Sequence, residues 1–189
     1  CVISGIADIT IGETVCLPEH PISLPVIHIQ EPTMSMNFIV NKSPFAGKEG
    51  KFVTTRHIKE RLEKELEVNV GLLVEPTDST DAFKVSGRGE LHLSILIENM
   101  RREGYELAVS KPEVIFRKSE SGKRMEPVEE VIVEAPEQYV GGVISELNLR
   151  KGIMVSMDTQ NGRAKLLYTV PTRGLLGYRS QFINQTRGE

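Results

Sequence analysis

One order of secondary structure is predicted twice along the chain, and it restricts the possible fold more than any other feature of the sequence. Residues 34–40 predict a strand, and residues 54–66 predict a helix because Ile58, Leu62 and Leu66 recur every fourth residue. Two strands, a helix and a strand are predicted next, at residues 70–75, 82–86, 89–102 and 105–109. This β-α-β-β-α-β order predicts an α+β, ferredoxin-like unit, in which two helices cover one face of a four-stranded antiparallel sheet.

The second helix of this unit carries apolar side chains that we expect to face the sheet. These side chains are Leu91, Ile95, Leu96 and Met100. Gly104 follows the last predicted turn, where a residue in the left-handed conformation commonly ends a helix. The helix is therefore predicted to end at about residue 102 and to lead directly into the last strand.

The same order begins again near residue 128. A strand is predicted at residues 128–134, and Pro136 suits the first position of the helix that follows it. The predicted buried stripe of that helix consists of Val140, Ile144 and Leu147. Strands at residues 153–157 and 164–170 flank Asn161 and Gly162, which predict a tight hairpin because both residues tolerate positive φ.

A last helix is predicted from Thr172 onward, and no fourth strand follows it. The apolar residues of this helix are Leu175, Leu176, Phe182 and Ile183. The second unit is therefore expected to lack about one strand of the complete fold. Because the chain also opens at Cys1 with neither Met nor a leader sequence, we expect it to be a fragment excised from a longer protein.

Three parts of the chain follow from these patterns. Residues 1–31 contain isoleucines and a valine interrupted by Gly5 and Gly12, and they are predicted to be the last strands of a β-barrel. Residues 32–111 and 112–189 are the two ferredoxin-like domains, and the polar residues 118–124 between their cores predict a turn or a short linker.

Cysteine content and hydropathy bear on where the protein works. Cys1 and Cys16 are too few for a disulfide framework, so a reducing compartment is expected. No apolar run approaches the ~18 residues that a membrane-spanning helix needs. The sequence therefore predicts a cytoplasmic protein without a membrane partner.

Charge is distributed unevenly along the chain. The formal net charge is −3 overall, yet residues 150–189 hold seven Lys or Arg against two acids, a net charge of +5. Such a region can follow a phosphate backbone, because each base that neutralises a phosphate releases a counterion. The same residues could equally form an ordinary solvated surface, and charge alone does not decide between the two interpretations.

Several kinds of catalytic and cofactor site have no sequence signal in this chain. There is no Gly-x-x-x-x-Gly-Lys-Ser/Thr motif, so the chain by itself is predicted neither to bind nor to hydrolyse a nucleoside triphosphate. The four histidines lack the spacing of metal ligands, and His92 is interpreted as a packed histidine. No catalytic residue and no metal ligand is therefore predicted.

Two arginines stand at predicted helix starts, where unpaired N–H groups and the helix dipole favour anions. Arg88 precedes the second helix, and Arg173 opens the last one. We hypothesise that both contact phosphate, and charge reversal at the two positions tests this through binding to structured RNA.

Six sequence motifs occur together in one order along the chain. They are NKSPFAG (41–47), Arg56 with Arg61-Leu62, GRGELHL (87–93), APEQYVG (135–141), LNLRKG (147–152) and VPTRGLLGYR (170–179). With these motifs the chain closely resembles the BipA/TypA family of ribosome-associated translational GTPases, which is related to elongation factor G. The resemblance extends over essentially all 189 residues.

The resemblance implies a domain assignment and a function for the whole protein. The chain would comprise the end of barrel domain II, domain III and a truncated domain V. GTP and Mg²⁺ would bind in a missing GTPase domain, and a missing C-terminal domain would follow. The whole protein would bind ribosomes and support their assembly, or translation under stress, whereas these domains would be adaptors that contact ribosomal RNA and proteins.

The resemblance also suggests the ribosome-contacting residues. The predicted set comprises Lys42, Lys48, Lys51, Arg56, Arg88, Arg173 and Arg179, to which charge alone adds Arg150 and Lys151. Complementing the helix dipole explains the last two nearly as well. A solvated loop is the alternative for the lysines between residues 42 and 51.

Two other functions are compatible with the fold. An acylphosphatase-like enzyme uses the same β-α-β-β-α-β unit, although residues 41–50 lack an evident arginine-bearing phosphate loop. A pair of ligand-sensing regulatory domains would be stabilised by a small metabolite. The basic C-terminal region and the six motifs argue against both.

Overall fold

The computed structural model describes residues 4–6, 9, 11–25 and 29–189. It comprises two compact units, Cys1–Pro112 and Glu113–Glu189. The described residues before Met34 contain neither helix nor strand. The assignment of residues 1–31 to a β-barrel therefore stays a prediction, and Cys1 lies outside the described residues.

The first unit is an antiparallel sheet with two helices. Its elements are β1 (Met34–Val40), α1 (Thr55–Val68), β2 (Leu73–Pro76), β3 (Ala82–Gly87), α2 (Glu90–Arg102) and β4 (Leu107–Val109). The strands lie in the order β2-β3-β1-β4, and β1 pairs antiparallel with both β3 and β4. The predicted α+β, ferredoxin-like order is confirmed.

Local signals explain where the helices of this unit begin and end. The Thr54 hydroxyl accepts a hydrogen bond from the backbone N–H of His57 at 3.3 Å, which caps α1. Gly104 adopts a φ of 94° after α2, as its position predicts. The core between helices and sheet contains the fully buried Phe38, Ile58, Leu62, Leu93 and Met100.

The inward face of α2 differs from the prediction. Leu91 and Ile95 were expected to be buried, but they are 59% and 51% exposed. Leu96 and Met100 are buried as predicted, and Leu93 joins them, because a spacing of three and four residues forms one stripe of the helix. Leu91 lies two residues before Leu93, which places it on the opposite side.

The second unit contains the remaining elements. These are β5 (Glu113–Val114), β6 (Arg117–Lys118), β7 (Arg124–Met125), β8 (Val128–Pro136), α3 (Glu137–Leu149), β9 (Ile153–Gln160), β10 (Arg163–Pro171), α4 (Thr172–Leu175) and α5 (Tyr178–Thr186). Strands β8, β10 and β9 form a three-stranded antiparallel sheet in that order. The core of this unit packs around Tyr168, Leu166 and Leu147.

Turn residues set the register of this second sheet. Asn161 and Gly162 have φ values of 52° and 76°, so the hairpin between β9 and β10 has the tight turn that their sequence predicts. Residues 118–124 are more ordered than a plain linker, because β6 and β7 pair as a small antiparallel hairpin. No helix in the described residues is long and apolar enough to cross a membrane.

The single last helix that the sequence predicts is two helices in the structure. The chain leaves helical geometry at Leu176, whose ψ is 121°, and Gly177 follows with a φ of 68°. The new direction buries Tyr178 and leaves Ile183, one of the apolar residues of the predicted helix, 46% exposed.

Candidate nucleic-acid interface

Residues 41–51, here called the 41–51 loop, join β1 to the segment before α1 and contain three of the predicted RNA-facing lysines. Its glycines, serine and proline favour turns over a regular element. One side chain from elsewhere in the sequence, that of Glu106 just before β4, organises the whole loop. Asn41 donates from Nδ2 to Glu106 Oε1 at 2.6 Å.

Three backbone N–H groups of the loop also converge on the Glu106 carboxylate. Gly47 donates to both oxygens at 3.0 and 3.1 Å, and Gly50 and Glu49 donate to Oε2 at 3.1 and 3.3 Å. Successive N–H groups that face one point form a nest, an arrangement that suits an anion. Here the anion is the protein's own carboxylate, so the nest fixes the loop.

The end of the loop is held by backbone contacts with the same region. Lys51 and Phe52 donate their N–H groups to the carbonyl oxygen of Gly104 at 2.8 and 3.1 Å. A Cβ on Gly50 would lie 2.6 Å from the Cβ of Glu106, a separation that real contacts do not reach. The close approach therefore requires glycine at position 50.

We expect acid to release the 41–51 loop. Hydrogen bonds from the N–H groups of Gly47, which has the larger effect, and of Gly50 hold the pKa of the Glu106 carboxyl below its ordinary value. A lowered carboxyl pKa stabilises the native form above the unfolded value of about 4.3, and this stabilisation disappears as the pH falls through the native pKa. The amide NMR shifts of Gly47 and Gly50 should therefore be constant from pH 7 to about 5 and move together below about pH 4.

Gly122 provides the control for this titration. Its N–H donates to the carbonyl oxygen of Ser119 at 2.8 Å, a partner that does not titrate. Amides of Gly47 and Gly50 that move no more than that of Gly122 would contradict the role of Glu106.

The lysines of the loop differ in their surroundings. Lys48 and Lys51 are exposed and have no ion-pair partner among the described residues. Lys42 instead contacts Asp81 Oδ2 through Nζ at 2.5 Å. The Nζ of Lys48 lies 4.8 Å from the ring centroid of Phe45. Two loop lysines are therefore available to an external anion, whereas the third has an acidic partner.

The two predicted arginines near the helices of the first unit also differ. Arg56 pairs with Glu60 on the exposed face of α1, with Nε 2.7 Å from Oε1. The side chain of Arg88 lies beside Gly71, where a Cβ would come within 2.9 Å of Nε. The backbone N–H of Arg88 donates to His92 Nδ1 at 3.3 Å. His92 thus accepts a bond at the start of α2, in agreement with its interpretation as a packed histidine.

Arg150 has internal partners for its whole guanidinium group. Nε contacts Glu146 at 2.8 Å, Nη1 donates to the carbonyl oxygens of Gly174 and Leu176 at 2.6 and 3.2 Å, and Nη2 donates to Gln181 at 2.6 Å. These bonds attach the α4–α5 segment to α3. We therefore assign Arg150 a structural role in the second unit and leave it out of the interface.

The other three predicted RNA-facing residues of the second unit lie near its surface. Lys151 has a φ of 66° and is exposed. Arg173 is bound to Glu126, with Nε 2.6 Å from Oε2, and it is the second residue of α4, a helix of only four residues. Arg179 is exposed on α5 and has no ion-pair partner among residues 29–189.

Two features of this site were missed by the sequence interpretation. Glu106 lies 65 residues beyond Asn41, and no local pattern connects the two. Phe45 is 67% exposed in the middle of the loop, where an aromatic residue among lysines was an available signal. No group of three or more His, Cys, Asp or Glu that could hold a metal occurs in the described part of the chain.

A comparison with protein families finds a match for most of the second unit. Residues 123–189 match the family described as "Elongation factor G C-terminus". This part of the second unit is therefore of the elongation factor G C-terminal type. A protein of known crystal structure from Thermus thermophilus aligns with 87% of this chain and 40% of its own, with a TM-score of 0.45 and 15% identity.

The curated relatives extend over both units. The chain is 58% identical over 187 residues to "Large ribosomal subunit assembly factor BipA" of Bacillus subtilis (strain 168). It is 55% identical to the protein of that name from Synechocystis sp. and 54% identical to that of Escherichia coli (strain K12). These alignments include 98–99% of the chain but only 30–31% of each relative. The chain belongs to the BipA/TypA family.

Proposed function

We propose that this chain is the ribosome-contacting segment of a large-subunit assembly factor, and that its exposed bases contact ribosomal RNA. The relatives named as such factors align with nearly all of the chain. The observation that carries the proposal is the 41–51 loop, in which Lys48 and Lys51 are exposed and unpaired among the described residues while Glu106 holds the backbone. A preorganised basic loop loses less conformational entropy when it binds a phosphate backbone.

The main proposed contacts are Lys48 and Lys51 in the first unit and Arg179 in the second unit, and Lys151 is a further proposed contact of the second unit. Lys42, Arg56 and Arg173 contribute less, because each has a carboxylate within 2.7 Å whose negative charge opposes phosphate. Arg88, which directly precedes the N-cap residue of α2, is a further proposed RNA contact. Ribosomal proteins are the second class of partner.

The whole protein, in this proposal, acts in the cytoplasm on ribosomes and hydrolyses GTP with Mg²⁺ in a separate domain. The GTPase and C-terminal domains of the same protein are then the partners of the two units described here. These units contribute no catalytic residue to the reaction. A role in translation under stress is part of the same proposal.

The acylphosphatase-like alternative conflicts with the state of the 41–51 loop. In such an enzyme the N–H groups after the first strand must be open to a phosphate group. Here the N–H groups of Gly47, Glu49 and Gly50 are bonded to Glu106. A phosphate would have to displace a carboxylate that is tethered within the same unit.

Charge reversal at the exposed bases tests the proposed function. We expect a Lys48→Glu/Lys51→Glu/Arg179→Glu variant to bind ribosomal subunits more weakly in cosedimentation across a salt series. The slope of log K against log salt should fall by about 1 for every phosphate contact that is lost.

A variant with the same change in net charge is the control. Lys59→Glu/Lys64→Glu/Lys123→Glu reverses three exposed bases outside the proposed interface. Equal losses in the two variants would mean that only net charge matters, and an unchanged salt slope in the first would refute phosphate contact at these positions.

A further inference from the structure

We propose that Phe45 stacks on an unpaired base of the RNA that the 41–51 loop contacts. This inference rests on the proposed function and adds to it a residue and a type of RNA structure. Phe45 belongs to neither the charged set nor the core, since 67% of its side chain is exposed. Aromatic side chains on basic surfaces are the usual platforms for single-stranded bases.

The first argument is that Phe45 is held in an exposed position. The loop around it has its own turns, in which Ala46 donates to the Ser43 carbonyl at 3.0 Å and Lys48 to the Phe45 carbonyl at 3.3 Å. The Glu106 carboxylate then holds the residues that follow, through Gly47 and Gly50. The ring is thus presented on an anchored loop, and little ordering is needed when a base stacks on it.

The second argument is the charge beside the ring. The Nζ of Lys48 lies 4.8 Å from the ring centroid, within the range of a cation–π contact. A cation at one face of the ring leaves the other face to a base and is itself in reach of the adjoining phosphate. Lys42 is paired with Asp81 and the Glu106 carboxylate is bonded to the loop N–H groups, so Lys48 and Lys51 are the two loop bases without an ion-pair partner among the described residues.

The charge around Phe45 favours RNA over a protein partner. A protein-binding hot spot typically places an aromatic residue at the centre of a desolvated patch from which charges are depleted. Phe45 instead has lysines at positions 42, 48 and 51 of its own loop. A nucleotide satisfies both features, because its base offers a π face and its phosphate a negative charge.

Binding to a labelled RNA tests this inference. The probe is an RNA stem-loop with 2-aminopurine at an unpaired position, whose fluorescence falls when the base stacks. We expect the intact 189-residue chain to quench this probe, and Phe45→Ala to lose the quenching and bind about 5- to 100-fold more weakly. A fully paired RNA of equal length should bind the two proteins alike.

Phe116→Ala is the matched control. Phe116 is also exposed, at 43%, but the guanidinium carbon of Arg124 lies 3.7 Å from its ring centroid. This variant should bind and quench like the unmodified chain, which would show that the loss is specific to Phe45 and not to removal of any surface aromatic residue.

The remaining outcomes show whether the stacking inference fails alone or together with the proposed function. Salt-sensitive RNA binding that is unchanged in Phe45→Ala overturns the stacking inference and leaves the proposed function intact. Failure of the unmodified chain to bind any RNA at low salt overturns both. A Phe45→Ala loss that is seen with ribosomal subunits but not with the stem-loop assigns the ring to a ribosomal protein and also overturns stacking.

Discussion

Replacing Arg150 with alanine should lower the free energy of unfolding of the second unit by about 3 kcal/mol. The same change at Lys151, the next residue, should cost less than about 0.5 kcal/mol. The two residues are adjacent bases in one motif, so residue type alone predicts the same role for both. The structure separates them by their surroundings.

The expected loss at Arg150 follows from the partners that alanine would leave behind. The carbonyl oxygens of Gly174 and Leu176 would lose a charged donor, and Glu146, whose side chain is 21% exposed, would lose its counter-ion. A charge-assisted hydrogen bond contributes about 1.5–3 kcal/mol, and a half-buried acceptor without a partner adds its own cost. Lysine at position 150 could not restore the forked geometry.

Native-state hydrogen exchange of the β8 and β10 amides measures this effect, since it reports on the second unit separately. Faster exchange in Arg150→Ala, with little change in Lys151→Ala, is the expected result. If Arg150→Ala kept full protection but lost affinity for RNA, the structural role would be wrong and Arg150 would return to the interface.

The second prediction concerns the effect of Glu106 on RNA binding, and it is opposite in sign to what charge alone would predict. We expect Glu106→Ala to weaken RNA binding by about tenfold, although the change removes an acid from beside a basic loop. Without the carboxylate, the side chain of Asn41 and the N–H groups of Gly47, Glu49 and Gly50 lose their shared acceptor. Part of the loop must then be ordered at the moment of binding, at a cost of about 1–2 kcal/mol for each residue fixed, so a tenfold loss corresponds to about one such residue.

Glu49→Ala is the control for this variant. It removes the same charge from within the loop, and the bond that Glu49 makes to Glu106 comes from its backbone. This variant should bind RNA as well as the unmodified chain or slightly better. Stronger binding by both variants would mean that electrostatics, and not loop order, limits the affinity.

Much of the fold was predictable because its signals are local. The β1 strand and the Asn161-Gly162 turn follow from alternation and from φ preferences, which depend on neighbouring residues only. The outward position of Ile95 and the break at Gly177 were not predicted. The position of Ile95 depends on which side of the helix meets the sheet, and apolar residues on two sides of a helix leave that open.

The candidate site was predictable only in part, for a related reason. Basic residue type marks Lys48 and Lys51 as candidates, but it marks Arg150 equally, and only the tertiary partners distinguish them. The residue that organises the loop was invisible in the sequence, because a carboxylate that accepts backbone N–H groups leaves no pattern beyond a single Glu106.

The separation of Glu106 from the loop also has a consequence for synthesis of the protein. Glu106 follows Asn41 by 65 residues, and at roughly 5–20 residues per second it is made about 3–13 s later. A nascent chain that ends before Glu106 carries the lysines without the anchor. The loop can therefore acquire its final shape only after the first unit is almost fully translated, so an incomplete chain lacks the ordered loop on which the proposed RNA contact depends.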